Sequence, residues 1–146
     1  MRIPRVLRGF VVVLVMVSGM LLVAPGTTLA VPNGIPCSGS VTTPVLTDGP
    51  AIMAEGVVYC SDQTRVIHVD VWIYAWAGTH WTQVVRTETD ASNTTIAFNY
   101  TVTPRCRGTV EYFAAMQYFA MWCAWGDYCI QGFSPTYTSY ASWIAC

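Results

Sequence analysis

The chain has no lysine among its 146 residues, and its positive charge rests on seven arginines. No lysine nucleophile, Schiff base or phosphate-cradling lysine is therefore available. Charge of either sign is scarce, at 10% of residues. No basic cluster exists that could neutralise a run of phosphates, which argues against nucleic-acid binding. Histidine is limited to His68 and His80. The acids Asp62, Asp70, Glu88, Glu111 and Asp127 are scattered, and none is doubled up in the way that would mark a glycosidase pair. No apolar run reaches the about 20 residues that a membrane span requires.

The longest apolar run, residues 10–23, follows a positive segment carrying Arg2, Arg5 and Arg8. Pro25 and Gly26 then break any helix, and Thr28-Leu29-Ala30 offers small residues at −3 and −1 of a cleavage site. This reads as an export signal over residues 1–30, leaving residues 31–146 as one secreted domain with no stable membrane anchor. No two arginines are adjacent, against a twin-arginine route. Gly34-Ile35-Pro36 before Cys37 does not fit a lipidated cysteine. Removing the signal leaves four arginines against eight acids, a net charge near −4.

Beyond the signal, period-two alternation recurs and a 3.6-residue period does not. Residues 51–60 set Ile52, Ala54, Gly56, Val58 and Cys60 on one face. In residues 65–76, Ile67, Val69, Val71, Ile73 and Ala75 form one face, and His68, Asp70, Trp72, Tyr74 and Trp76 the other. Ala77-Gly78-Thr79 predicts a turn, and residues 80–89 a returning hairpin strand. A second turn is predicted at residues 90–93. After it Ile96, Phe98, Tyr100 and Val102 point one way, and Thr95, Ala97, Asn99 and Thr101 the other. Residues 109–123 are long enough for a helix, but Val, Tyr, Phe and Trp dominate and no cap precedes them, so they read as strand. Residues 40–47 and 136–146 complete about seven strands. The expected fold is all-β, an immunoglobulin-like antiparallel sandwich stapled by disulfides.

Six cysteines allow fifteen pairings. In an up-and-down strand order, Cys37 and Cys60 fall at one end of the sandwich, and Cys106 and Cys146 at the other. Cys123 and Cys129 would clip the last hairpin. The strand order thus favours Cys37–Cys60, Cys106–Cys146 and Cys123–Cys129 over an inter-sheet Cys60–Cys106 bridge.

The Ile67-His68-Val69-Asp70-Val71 strand runs into an aromatic hairpin. Cys106-Arg107-Gly108 precedes a Tyr/Phe-Ala strand, and the chain ends on Cys146. This pattern resembles the small secreted immunoglobulin-like β-sandwich proteins of actinobacteria. The resemblance implies a fold and a compartment, and no activity.

Paired cysteines in an oxidising compartment leave no thiolate for catalysis or zinc. No calcium-loop spacing is present, and neither a metal nor a cofactor is implied. His68 and Asp70 share a strand face, as an imidazole and its orienting carboxylate do, but no nucleophile elbow accompanies them. The aromatics are the stronger signal. Trp72, Tyr74 and Trp76 form a row that is either a partner surface or a packed face. Trp125 sits at the tip of a disulfide-clipped turn, suited to recognition or packed on its own bridge. Asn93-Thr94-Thr95 and Asn99-Tyr100-Thr101 are glycosylation sequons, with Asn99 expected on the outer face. The leading expectation is a secreted, non-enzymatic binding module presenting Trp72, Tyr74, Trp76 and Trp125 to a carbohydrate or protein. The alternatives are a self-associating surface protein and a small hydrolase using His68 and Asp70.

Overall fold

Strands account for all the regular structure that the computed structural model describes, which covers residues 37–106, 108–123 and 129–146. The expected signal at residues 1–30 and the tip residue Trp125 lie outside the described residues. The elements are β1 (Cys37–Val41), β2 (Val45–Leu46), β3 (Ile52–Trp76), β4 (Trp81–Val102), β5 (Val110–Cys123), β6 (Cys129–Phe133), β7 (Tyr137–Thr138) and β8 (Ser142–Ile144). The run that could have been helix is β5, and its Tyr112, Ala114, Met116 and Tyr118 alternate into the core.

All eight strands belong to one antiparallel sheet. β4 follows one edge of β3 along nearly its whole length. The other edge of β3 is shared, with β1 and β2 on residues 52–60 and β5 on residues 66–75. β6, β7 and β8 then line the far edge of β5.

A 25-residue strand such as β3 would reach roughly 80 Å if straight, far beyond a domain whose radius of gyration is about 13 Å. It bends instead. The β3–β4 register shifts between Tyr59 and Thr64, and Asn93 opposite takes a left-handed φ of 52°. The sheet therefore curls until two parts of one strand meet: a Cβ on Gly56 would lie 2.5 Å from Val71 Cγ2. The core forms inside the curl. Val58 and Cys60 pack with Ile67, Val69, Val71, Met116 and Tyr118, while Ile52 and Ala54 pack with Ile73, Tyr112 and Ile144.

The bend explains two differences from the sequence reading. Residues 51–60 and 65–76 are one strand, and the turn expected at residues 90–93 is replaced by a kink inside β4. The two strands stay paired through the bend, with His68 opposite Asp90 and Val66 opposite Ser92. The third difference is the facing of β4. Ala97, Asn99, Thr101 and Thr103 are buried, whereas Ile96, Phe98, Tyr100 and Val102 are exposed.

The cause is hydrogen bonding inside the curl. Asn99 Nδ2 donates to Val69 O at 2.7 Å and Thr87 O at 2.9 Å, and Thr101 Oγ1 donates to Val71 O at 3.2 Å. The Thr87 hydroxyl bonds both Asn99 Oδ1 and Thr101 Oγ1. Short polar side chains fit this narrow space and satisfy its carbonyls, as buried polar groups must. Asn99 thus faces inward, not outward, and its sequon is closed to a glycan in the folded chain. Asn93 is exposed.

The disulfides join Cys37 to Cys60, Cys106 to Cys146 and Cys123 to Cys129, the three pairs that the strand order favours. Cys37–Cys60 and Cys123–Cys129 each link direct cross-strand neighbours. Each bridge stabilises by roughly 2–4 kcal/mol through the unfolded chain.

Candidate functional site

Alternation along residues 68–76 of β3 turns His68, Asp70, Trp72, Tyr74 and Trp76 to the outside of the curl, while the β-branched residues between them fill the core. Register then decides their neighbours. β4 sets Asp90, Glu88, Arg86 and Trp81 opposite His68, Asp70, Trp72 and Trp76. β5 sets Phe119, Gln117, Ala115 and Phe113 opposite His68, Asp70, Trp72 and Tyr74. The face has an aromatic half and a charged half, with Trp72 and Arg86 at the border.

In the aromatic half, Tyr74 and Phe113 stack with centroids 4.8 Å apart and planes within 7°. Trp81 meets Phe113 edge-on at 4.7 Å, and Trp76 meets Trp81 at 5.2 Å. The Arg86 guanidinium lies 5.4 Å over the Trp72 ring. Each such aromatic pair adds about 0.5–1.5 kcal/mol beyond the area it buries. Trp72, Tyr74 and Trp76 are consequently half-buried. Tyr74 lies against Phe113, Trp76 against Trp81 and Trp72 beneath Arg86, so less than the full rings meets solvent.

Trp81, Phe113 and Arg86 are the members that sequence reasoning missed. The short turn after Trp76 was the available signal for Trp81. Phe113 depends on which strand lies alongside, and Arg86 on the register shift between Ile73 and Tyr74.

In the charged half, His68 Nδ1 donates to Asp90 Oδ1 at 2.6 Å, and Nε2 lies 3.4 Å from Asp70 Oδ2. Arg86 holds Asp70 Oδ1 through Nε at 3.1 Å and Nη2 at 2.9 Å, and Nη2 also reaches Glu88 at 2.9 Å. The imidazole stacks on Phe119 with centroids 5.1 Å apart. Beside it lies a shallow hollow of about 330 Å³ lined by His68, Asp70, Gln117, Phe119, Phe133 and Ser134.

Partial burial lowers the His68 pKa, but the hydrogen bond to Asp90 and the fields of Asp70, Asp90 and Glu88 outweigh it, and the net shift is upward. A raised folded-state pKa contributes stability that is complete below the unfolded value near 6.5. That contribution is lost as pH rises through the higher folded value. The His68 ring protons are thus expected to titrate above pH 6.5 by NMR, and His68→Gln to flatten the stability profile between about pH 6 and 8. Titration at or below 6.5 would contradict the ion-pair geometry.

Chemically this half is an ion-pair network, in which both imidazole nitrogens face carboxylates and the protonated ring is favoured. His68, Asp70 and Glu88 bring ligand-type atoms within 4.8 Å of one another. Arg86 already supplies the cation between the two acids, and a metal ion would have to displace it. Of the residues picked from sequence, Trp72, Tyr74 and Trp76 thus share one face with His68 and Asp70. Trp125 lies outside the described residues.

Comparison of the chain with protein-family models, with curated proteins and with solved structures finds no match. The functional reading therefore rests on the geometry of this face.

Proposed function

We propose that the chain is a secreted, non-enzymatic interaction module on an immunoglobulin-like sandwich. In this reading β1, β2, residues 52–60 of β3 and residues 94–102 of β4 form one layer. The rest of β3 and β4, with β5 to β8, forms the other. The contact between Gly56 and Val71 supports two stacked layers, and the disulfides suit an extracellular compartment.

The partner we propose is a protein rather than a carbohydrate. The single observation carrying this choice is the engagement of the ring faces. Sugar recognition by aromatics needs an open ring face, yet Tyr74 lies against Phe113 and Trp72 lies beneath Arg86. What remains is a rigid group of Trp, Tyr and Arg side chains, the types that dominate protein–protein hot spots. Their mutual packing holds the rotamers in place before a partner arrives, which lowers the entropy cost of binding.

The test is binding of labelled protein to intact cells of the source organism. The expected result is saturable binding that protease treatment of the cells abolishes and periodate oxidation of their glycans does not. Trp72→Ala is expected to weaken it by about 30-fold or more, the loss typical of a hot-spot residue. Absence of binding by the unaltered protein, sensitivity to periodate alone, or full binding by Trp72→Ala would refute the proposal.

A further inference from the structure

The layer that lacks the tryptophan row has a surface of its own. Residues 94–102 of β4 carry no charged side chain, and their outward residues are the large apolar ones. Tyr100 is 57% exposed, Phe98 44% and Val102 44%, and on the adjacent strand Tyr59 is 58% exposed. The register sets Tyr59 beside Ile96, Val57 beside Phe98 and Met53 beside Val102, so these residues form one continuous patch. Its one carboxylate, Glu55, lies opposite Tyr100 in the ladder, and its proximity pushes that phenol above its ordinary pKa. A solvent-facing strand would turn Asn99 and Thr101 outward. Here they are inside, and the apolar residues face water.

We infer that this patch is a homodimer interface, in which two copies pack the outer faces of residues 53–59 and 96–102 against each other. Area supports a second copy as the occupant. An aromatic side chain presents about 150–250 Å², so the exposed parts of the patch, Val102 and Ile96 included, amount to roughly 450 Å² per copy. Half-buried Met53 and Val57 add to that, which approaches the about 600 Å² per partner at the lower end of specific interfaces.

Charge supports it as well. The domain is acidic overall, yet this face is nearly neutral, so two copies meet here with little repulsion. A charged partner finds only Glu55 to pair with, and that carboxylate is already beside Tyr100, whereas a face of the same flat, apolar character matches by self-complementarity. Face-to-face packing also fits better than pairing along the β4 edge. Edge pairing would satisfy backbone groups but leave Phe98 and Tyr100 in water. Sheets packed about 10 Å apart remove both from it. This inference is independent of the proposed partner at Trp72, which lies on the other layer.

The test is sedimentation velocity on the secreted protein, disulfides intact, from about 1 to 200 µM. A monomer–dimer equilibrium is expected, and Phe98→Glu should raise the dissociation constant by about 30-fold or more. Because Phe98 is exposed, the variant should keep the circular dichroism spectrum of the parent. Tyr100→Ser is the milder second variant should it not, and Trp72→Ala should dimerise as the parent does. A strict monomer at 200 µM, growth beyond a dimer, or a folded Phe98→Glu or Tyr100→Ser that dimerises like the parent would overturn the inference.

Discussion

Asn99→Asp is expected to destabilise the fold by about 3–5 kcal/mol at pH 7, much of the 5–15 kcal/mol that holds a domain of this kind together. The substitution changes one nitrogen to oxygen and alters the shape hardly at all, so the cost is chemical. Asn99 is 2% exposed, and its amide nitrogen donates to the carbonyls of Val69 and Thr87. A carboxylate there would set a charged acceptor against two acceptors with no donor between them. Only the bond accepted from the Thr87 hydroxyl would survive.

The sign of the pH dependence follows from the same geometry. Burial among carbonyls raises the pKa of the introduced carboxyl above its unfolded value near 3.9. Such a group weakens the fold as pH rises from about 3.9 toward its raised pKa, where the loss levels off. Below pH 3.9 the neutral acid can donate one hydrogen bond, and the remaining deficit is about 1–3 kcal/mol. Urea midpoints of parent and variant should therefore lie closer together at pH 3.5 than at pH 7. Equal gaps at both pH values would mean that the side chain is solvated and that the facing of β4 is wrong.

That facing is also where sequence and structure part. The face of Ile67, Val69, Val71 and Ile73 was legible because alternating β-branched residues have one economical place to go. β5 was legible for a similar reason, as Tyr112, Met116 and Tyr118 recur every second or fourth residue without a helix cap. The cysteines followed once the strands were ordered. Residues 96–102 alternate just as cleanly, but hydrophobicity assigns their faces backwards. What buries Asn99 and Thr101 is a set of carbonyls some 12 to 30 positions away, on strands brought near only by the curl of the sheet. No local pattern encodes that.

The candidate site divides along the same line. The outward direction of Trp72, Tyr74 and Trp76 is a property of one strand and could be read from it. Which groups they touch is a property of register between strands: Phe113 comes from the pairing with β5, Trp81 from the turn after Trp76, and Arg86 from a shift at Ile73 and Tyr74. The sequence leaves open whether this row is a partner surface or a packed face, and the half-buried, mutually packed group answers to a register that one strand does not encode. Each added neighbour converts an available ring face into a packed one, and the ligand class favoured by the geometry changes with it.

Gly56→Ala is the second substitution with a large expected effect, and it tests the curl itself. Gly56 lies opposite Asn99 in the ladder and faces the returning part of its own strand. A Cβ there would stand 2.5 Å from Val71 Cγ2 and 2.8 Å from Met116 Sδ. Its φ is not in the left-handed region, so the backbone tolerates alanine, and the gain from a stiffer unfolded chain would be about 0.4–1 kcal/mol. The steric cost should exceed that gain. Met116 can shift along a flexible side chain, but Val71 is β-branched, and both are fully buried in packed surroundings. Overpacking of this kind costs about 1–3 kcal/mol, so a net loss of about 1–2 kcal/mol is expected. Val71→Ala alone leaves a cavity and costs about 2 kcal/mol or more. The double variant is the decisive measurement, because the new methyl then enters the space that the valine vacated. Chemical denaturation should show the double variant more stable than the sum of the single losses by at least about 1 kcal/mol. Additive losses, or a Gly56→Ala variant more stable than the parent, would mean that residues 56 and 71 never meet and that the sheet does not close on itself.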